Sequence, residues 1–211
     1  TESVWVENAS HLVHAFNAVL PSVSKSDSRP MLCTVNMIIS EGKGAAPRKT
    51  IRLQATNSYT LTEVTLPVEL GSLEGQFALS VDDVKRFVTA SKNAAGDARI
   101  SRNIATEALT LHCDGVTFPL HTSAGEYPVL DQIIAQEAGY SDEDRTGVMG
   151  VNPDYLAVVA KTSKILAKIG RVGNPVLEVR TSGVSKPARF TYVVAGEAEA
   201  FTIVMPVRIK R

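Results

Sequence analysis

Phe201-Thr202-Ile203-Val204-Met205-Pro206-Val207-Arg208-Ile209, the last long apolar run of the chain, reads as a β-strand. Two strand-like runs precede it, Val176 to Arg180 and Ala188 to Val194. Before those lies a helix. Asn152 is suited to cap it, Pro153 fits its first position, and its pattern continues to about Ile169 before Gly170 stops it. Gly147 to Val151 is expected to form a short leading strand. The end of the chain is therefore one unit: a strand, a helix and three strands.

The same order occurs twice upstream. In the first copy Val4-Trp5-Val6 is the short strand. Asn8 to Leu20 is the helix, with Ser10 as its expected cap and Leu12, Val13, Phe16, Val19 and Leu20 at helical spacing. Pro21 ends it, and Pro30 to Ile39, Thr50 to Thr56 and Leu61 to Val68 are the three strands. In the second copy Gln76 to Leu79 leads into a helix from Val81 to about Lys92. Ser80 is its expected cap, and Asp82 and Asp83 complement the dipole in its first turn. Ala98 to Ser101, Ala108 to Cys113 and Val116 to His121 follow as strands.

An α+β architecture, with helices on one face of antiparallel sheets, is the natural solution for such units. Two units make one domain of usual size. Residues 1–134 are thus expected to form a complete domain, from units of about 1–70 and 71–134. Residues 135–146, acidic around Ser141-Asp142-Glu143-Asp144-Arg145, read as a linker, and 147–211 as half of a second domain.

Hydrophobic residues make up 44% of the 211 and charged residues 21%, enough apolar material for a real core. Lysine plus arginine equals aspartate plus glutamate at 22 each, so the chain lacks the basic surplus of a DNA-coating protein. Any contact with nucleic acid must use local charge. Cys33 and Cys113 lie in apolar, strand-like runs and are expected to be buried free thiols of a reducing compartment. No run approaches the ~18 apolar residues that span a bilayer. The first residues have no basic stretch followed by an apolar one, so a cytoplasmic location without a membrane partner is expected.

Catalytic groups do not converge. His11 and His14 have helical spacing for a metal but no accompanying cysteine or carboxylate set. His112-Cys113-Asp114 alternate across a strand and point apart. Gly42-Lys43-Gly44 lacks the spacing and the following helix of a phosphate loop. A non-enzyme without catalytic residues, metal or cofactor is expected. The helices say more. Lys161, Lys164 and Lys168 fall on one stripe of the third helix, with Arg171 just beyond. Tyr155, Val158, Val159, Ile165, Leu166 and Ile169 fall on another, roughly 130° away. On the second helix Lys85, Arg86 and Lys92 lie outside the Val84, Phe87, Val88 face. These cations are either ordinary solvated faces or phosphate contacts that carry no sequence information.

Several short motifs resemble one family, the bacterial DNA polymerase III beta sliding clamps. Ile203-Val204-Met205-Pro206-Val207-Arg208-Ile209 is similar to that family's closing V-V-M-P-M-R-L strand. Gly150-Val151-Asn152-Pro153-Asp154-Tyr155-Leu156 resembles the segment opening its last helix, and Asp27-Ser28-Arg29-Pro30-Met31-Leu32 its R-P-x-L segment. Gln54-Ala55-Thr56-Asn57-Ser58-Tyr59-Thr60-Leu61 is similar to its A-T-D-G-x-R-L turn, departing at Asn57, Ser58 and Thr60. Gly125-Glu126-Tyr127-Pro128-Val129-Leu130 looks like its F-P-x-(Y/L) segment. The motifs occur in the family's order along nearly the whole chain. Counterparts of the family's first domain and of the first half of its last domain are missing.

The resemblance implies a processivity factor: an oligomeric ring encircling double-stranded DNA without regard to sequence, with helices inside. It also implies a pocket for short linear peptides of DNA polymerase and clamp loader. Carried over by motif, that pocket would use Leu32, Thr56, Ser58, Tyr59, Leu61, Pro128, Asn152, Tyr155, Pro187, Val204, Met205, Pro206 and Val207, with Arg208 at its edge. The DNA-facing set would be Lys85, Arg86, Lys92, Lys161, Lys164, Lys168 and Arg171. Four copies of a three-unit chain would supply as many units as the family's ring, or half-domains of two chains would pair. The alternative is a clamp mimic that binds clamp-interacting proteins without encircling DNA.

Overall fold

Asn8 starts the first helix. Its backbone is extended and its Oδ1 accepts from the Ser10 N–H at 3.0 Å, so Asn8 is the cap and Ser10 supplies the amide that is capped. The computed structural model describes residues 1–42, 48–68, 70–139, 149–169, 176–181, 183, 185–194 and 198–207. In the first unit β1 (Glu2–Val6) and α1 (Ala9–Val19) precede β2 (Thr34–Glu41), β3 (Lys49–Thr56) and β4 (Thr60–Pro67). A two-residue strand, β5 (Leu70–Gly71), leads to the second unit. There β6 (Gly75–Ser80) and α2 (Val81–Ala90) precede β7 (Ala98–Arg102), β8 (Leu109–Cys113) and β9 (Val116–Leu120). A further helix, α3 (Asp131–Ala138), follows. The third unit holds α4 (Pro153–Leu166), β10 (Leu177–Thr181), β11 (Ala188–Tyr192) and β12 (Glu199–Val204).

The first two units exchange their leading strands. β1 pairs with β7 and β6 with β2, both antiparallel. The sheets are therefore five-stranded, β5-β1-β7-β8-β9, and seven-stranded, β10-β11-β12-β4-β3-β2-β6. The third unit joins the first edge to edge, with β12 antiparallel to β4 from Glu199 opposite Thr65 to Val204 opposite Thr60.

α1 lies between α2 and α4 and touches both. That position explains why seven of its 11 residues are buried, a wider apolar face than a surface helix carries. Ala15 and Ala18 let the neighbouring helices come close. Phe16 meets Phe87 edge-on at 5.8 Å, and Phe87 meets Phe118 at 5.4 Å. Val4, Phe16, Leu53, Ile100, Leu166 and Val204 belong to one continuous core through all three units.

The β4–β12 seam is closed by hydroxyls on its helix side. Ser22 Oγ and Thr62 Oγ1 are 2.7 Å apart, Thr62 and Thr202 2.7 Å, and Thr202 and the Tyr192 hydroxyl 2.7 Å. The chain ends where Tyr192 donates to the Val159 carbonyl at 3.5 Å. All four side chains are buried, and burial pushes the Tyr192 hydroxyl up to about 12 against the pull of its hydrogen bonds. Beside them the Thr162 hydroxyl donates to the Ala18 carbonyl at 3.0 Å, tying α4 to α1.

Several expected elements differ. Pro30–Cys33 is a 3-10 turn before β2, since proline fits the first turn of a helix and the Leu32 N–H donates to the Arg29 carbonyl at 3.0 Å. Cys33 accordingly sits in that turn, half-buried, whereas Cys113 is buried in β8; both are free thiols. Ser80 stands at the α2 cap position without a side-chain cap hydrogen bond. The linker expected from residue 135 begins inside α3, whose Glu137 is buried, and 140–148 lie outside the described residues. Met149 to Val151 form no strand. The last strand stops at Val204. Met205 N–H donates to the Tyr59 carbonyl at 2.9 Å and Val207 N–H to the Gly150 carbonyl at 2.8 Å, while Pro206 has no N–H to continue a ladder.

His11 and His14 sit half-buried on α1, and burial holds both imidazoles below the ordinary value, with Lys168 lowering His14 further. The unfolded chain protonates them first, so the stability present above about pH 6.5 is lost as pH falls through their folded values. Denaturant midpoints measured from pH 7.5 to 5 are expected to fall. The His11→Gln, His14→Gln double variant should flatten that slope.

Candidate functional site

The outer face of the β4–β12 seam is apolar. By strand alternation Leu61 and Ile203, which are register partners, point away from the hydroxyl chain. With Tyr127, Leu130, Ala78 and Phe201 they form a second buried cluster. Over it opens a cavity of about 480 Å³. Its walls are Arg29, Pro30, Met31 and Leu32 of the 3-10 turn, Thr56 and Ser58 to Leu61 of the β3–β4 turn, Pro128, Leu130 and Ile133 around α3, and Ile203 and Met205 at the end of β12.

The β3–β4 turn is rigid. Asn57 Oδ1 accepts from the N–H groups of Tyr59 at 3.0 Å and Thr60 at 2.8 Å. Ser58 has a φ of +76°, the left-handed region where glycine is at ease, and its Oγ accepts from Arg29 Nη1 at 2.7 Å. Ser58→Gly should therefore raise stability by about 0.5 kcal/mol, read as a higher Tm, and free Arg29 at the cavity mouth. Tyr59 stacks on Tyr155 of α4, centroids 5.6 Å apart.

α3 is strapped across the same face from both sides of the seam. Arg52 on β3 pairs with Asp131 and, at 3.2 Å, with Glu63 on β4. Arg189 on β11 donates to Glu137 at 3.0 Å and lies 3.8 Å over the Phe201 ring.

On the helix side a groove of about 800 Å³ runs between α1, α2 and α4. Lys25, Lys85 and Lys161 line it, and so do Asp27, Asp82 and Asp154. At its flank the buried Asp83 accepts from the His121 N–H at 2.7 Å, from His121 Nδ1 at 2.8 Å and from Arg86. Burial alone would raise this carboxyl, but those donors outweigh it and hold it below its usual range. Among the described residues no cluster of three metal-ligating side chains occurs, and no helix is long and apolar enough to cross a membrane.

No protein-family model and no curated protein matches the sequence. Solved structures match nearly all of it. The DNA polymerase III beta chain of Streptococcus pneumoniae TIGR4 superimposes with a TM-score of 0.69 at 16% identity, over 99% of this chain and 65% of that one. The beta subunit of Thermotoga maritima gives 0.69 at 14% identity, over 100% and 65%. A DnaN sliding clamp of Pseudomonas aeruginosa bound to griselimycin gives 0.70 at 12% identity, over 98% and 65%.

The fold is that of the bacterial sliding clamps. This chain spans 65% of the length of each of those three clamp chains.

Of the positions expected from the clamp motifs, the cavity brings together Leu32, Thr56, Ser58, Tyr59, Leu61, Pro128 and Met205. Tyr155 reaches it only through the Tyr59 stack. Val204 points the other way and is fully buried in the main core, as alternation from Ile203 requires. Asn152 is occupied as the α4 cap, accepting from the Asp154 N–H at 2.9 Å. Pro187, Pro206 and Val207 are not in the lining, and Arg208 lies outside the described residues. Sequence reasoning missed Arg29, Pro30, Met31, Thr60, Leu130, Ile133 and Ile203. Most of these lie within segments already quoted as motifs, which is the signal that could have found them.

The cations expected to face DNA, Lys85, Arg86, Lys92, Lys161, Lys164 and Lys168, are all exposed; Arg171 lies outside the described residues. Arg86 is committed to Asp83, and Lys85 lies 3.9 Å from Asp82.

Proposed function

We propose that this chain is a non-enzymatic, clamp-like processivity protein of DNA replication whose outer cavity captures a short linear peptide of a DNA polymerase. The observation that carries this reading is the cavity itself. It is apolar, falls within the ~300–1,000 Å³ range of ligand sites, and needs the first unit, α3 and the third unit at once. Met31 and Met205 give it walls that adapt to more than one partner. Units one and two would act as one domain and the third unit as half of another. The exposed Lys161, Lys164 and Lys168 of the α4 segment would face the phosphates of double-stranded DNA inside a homo-oligomeric ring, and a clamp loader would use the same cavity.

Fluorescence anisotropy with a labelled clamp-binding peptide tests the cavity. Met205→Ala is expected to weaken binding about tenfold, and Tyr155→Ala severalfold by unseating Tyr59. No binding by the parent protein would remove the reading.

A second reading, a mimic that binds clamp-interacting proteins without encircling DNA, is favoured by the three aspartates among the groove lysines and by the commitment of Arg86 to Asp83. Retention on circular but not linear DNA, with a loader and ATP present, separates the two.

A further inference from the structure

The two sheets end in four outer strands, β5, β9, β10 and β6. Three are closed off. β5 is two residues long. β9 carries Pro119, which has no N–H to offer another strand. β6 is covered by the segment after β9: Ser80 N–H donates to the His121 carbonyl at 2.9 Å and Ser123 N–H to the Ala78 carbonyl at 2.8 Å.

β10 has none of these protections. It is five residues long, without proline, and among the described residues no strand lies beyond it. Its counterparts β2 and β7 are each covered by a strand from the other unit, β6 and β1. The helix-side face of β10 is open as well. Val179 stands opposite Phe190, which is 7% exposed, yet Val179 itself is 51% exposed. Among the described residues none packs over this apolar side chain on the core face of the sheet, and it is left half exposed.

The other face of β10 carries charges that match themselves. Glu178 and Arg180 flank Val179, both are about half exposed, and within one copy Arg180 Nε donates to the Glu178 carboxylate, a surface pair that strand pairing would exchange for two pairs between copies. When two such strands lie antiparallel about a two-fold axis through Val179, Glu178 of each copy faces Arg180 of the other. Directly opposed charges of opposite sign stabilise a strand pair, and like charges there destabilise it. An isologous contact requires such self-complementarity.

We propose that β10 is an assembly edge that pairs with β10 of a second copy of this chain, in antiparallel register about Val179. The seven-stranded sheet then continues across the two-fold axis, and the two third units cover each other's open flank. The β12–β4 seam is a precedent within the chain for continuing a sheet from one unit into another through antiparallel strands. The proposal is independent of the peptide reading, because a single copy builds the whole cavity.

Sedimentation equilibrium of the full chain tests it. A concentration-dependent dimer is expected. Glu178→Arg sets Arg180 of one copy against a new arginine of the other, twice per dimer, and is expected to raise the dimer dissociation constant about tenfold. The double variant Glu178→Arg, Arg180→Glu restores every opposed pair and should return the constant to the parent value. Both side chains are on the surface, so thermal melts of the monomer should hardly change. A parent protein that is monomeric at all concentrations overturns the proposal. So does a dimer indifferent to Glu178→Arg, or one that the double variant fails to restore.

Discussion

Phe16→Ala is expected to lower the free energy of unfolding by about 4 kcal/mol, the range of large aromatic truncations in a packed core. Phe16 is fully buried on the central helix and meets Phe87 edge-on at 5.8 Å. Its cavity would open where α2 and α4 both pack on α1, so neither neighbour can collapse into it without leaving the other. Urea unfolding followed by tryptophan fluorescence and by circular dichroism checks this. The two probes should shift together, because one core runs through the three units. A loss below about 1 kcal/mol would mean that the site relaxes freely, contrary to close packing.

Arg189→Ala is expected to cost about 2 kcal/mol, because it removes one partner of a carboxylate with no solvent exposure. Glu137 anchors the far end of α3, and Arg189 also covers the Phe201 ring. The functional consequence separates this substitution from a general core defect. α3 and its leading turn carry Leu130 and Ile133 into the cavity wall, so peptide affinity should fall about tenfold along with stability. Adding Glu137→Gln removes the buried charge that Arg189 meets and should recover part of the stability. Recovery of stability without recovery of affinity would locate the functional effect in the position of α3. Unchanged affinity in Arg189→Ala would mean that the cavity does not depend on the strap.

The repeated unit was legible because the hydrophobic period changes from two to 3.6 and back at each copy, and because Asn152-Pro153 is a strong helix start. The exchange of β1 and β6 was not legible. Period reports that a segment is a strand, not whose sheet it enters. The second half of α3 reads as linker in the sequence because its polarity is deceptive: the buried Glu137 accepts from Arg189, 52 residues away. The site was legible in part. Met205 and most of the Thr56–Leu61 turn line the cavity and lie within motifs that the sequence displays. Val204 was misplaced by one step of strand alternation, and that parity becomes readable only once the core side of β12 is known. The charge balance of the helix-side groove was also hidden, since Asp27, Asp82 and Asp154 come from three separate segments.

The buried hydroxyls at the β4–β12 seam make β4 selective about its neighbour. An ordinary apolar strand edge welcomes any extended chain, including a nascent or misfolded one. Along β4 such an intruder would take the Thr202 hydroxyl away from Thr62 and leave that hydrogen bond unmade in a dry interior, at about 1–3 kcal/mol. A one-residue slip of β12 itself would carry Thr202 to the opposite face and incur the same penalty. Proofreading of the docked strand is thus built into the seam. The reverse face inherits that fidelity: Leu61 and Ile203 meet to floor the cavity only in the register that the hydroxyls accept.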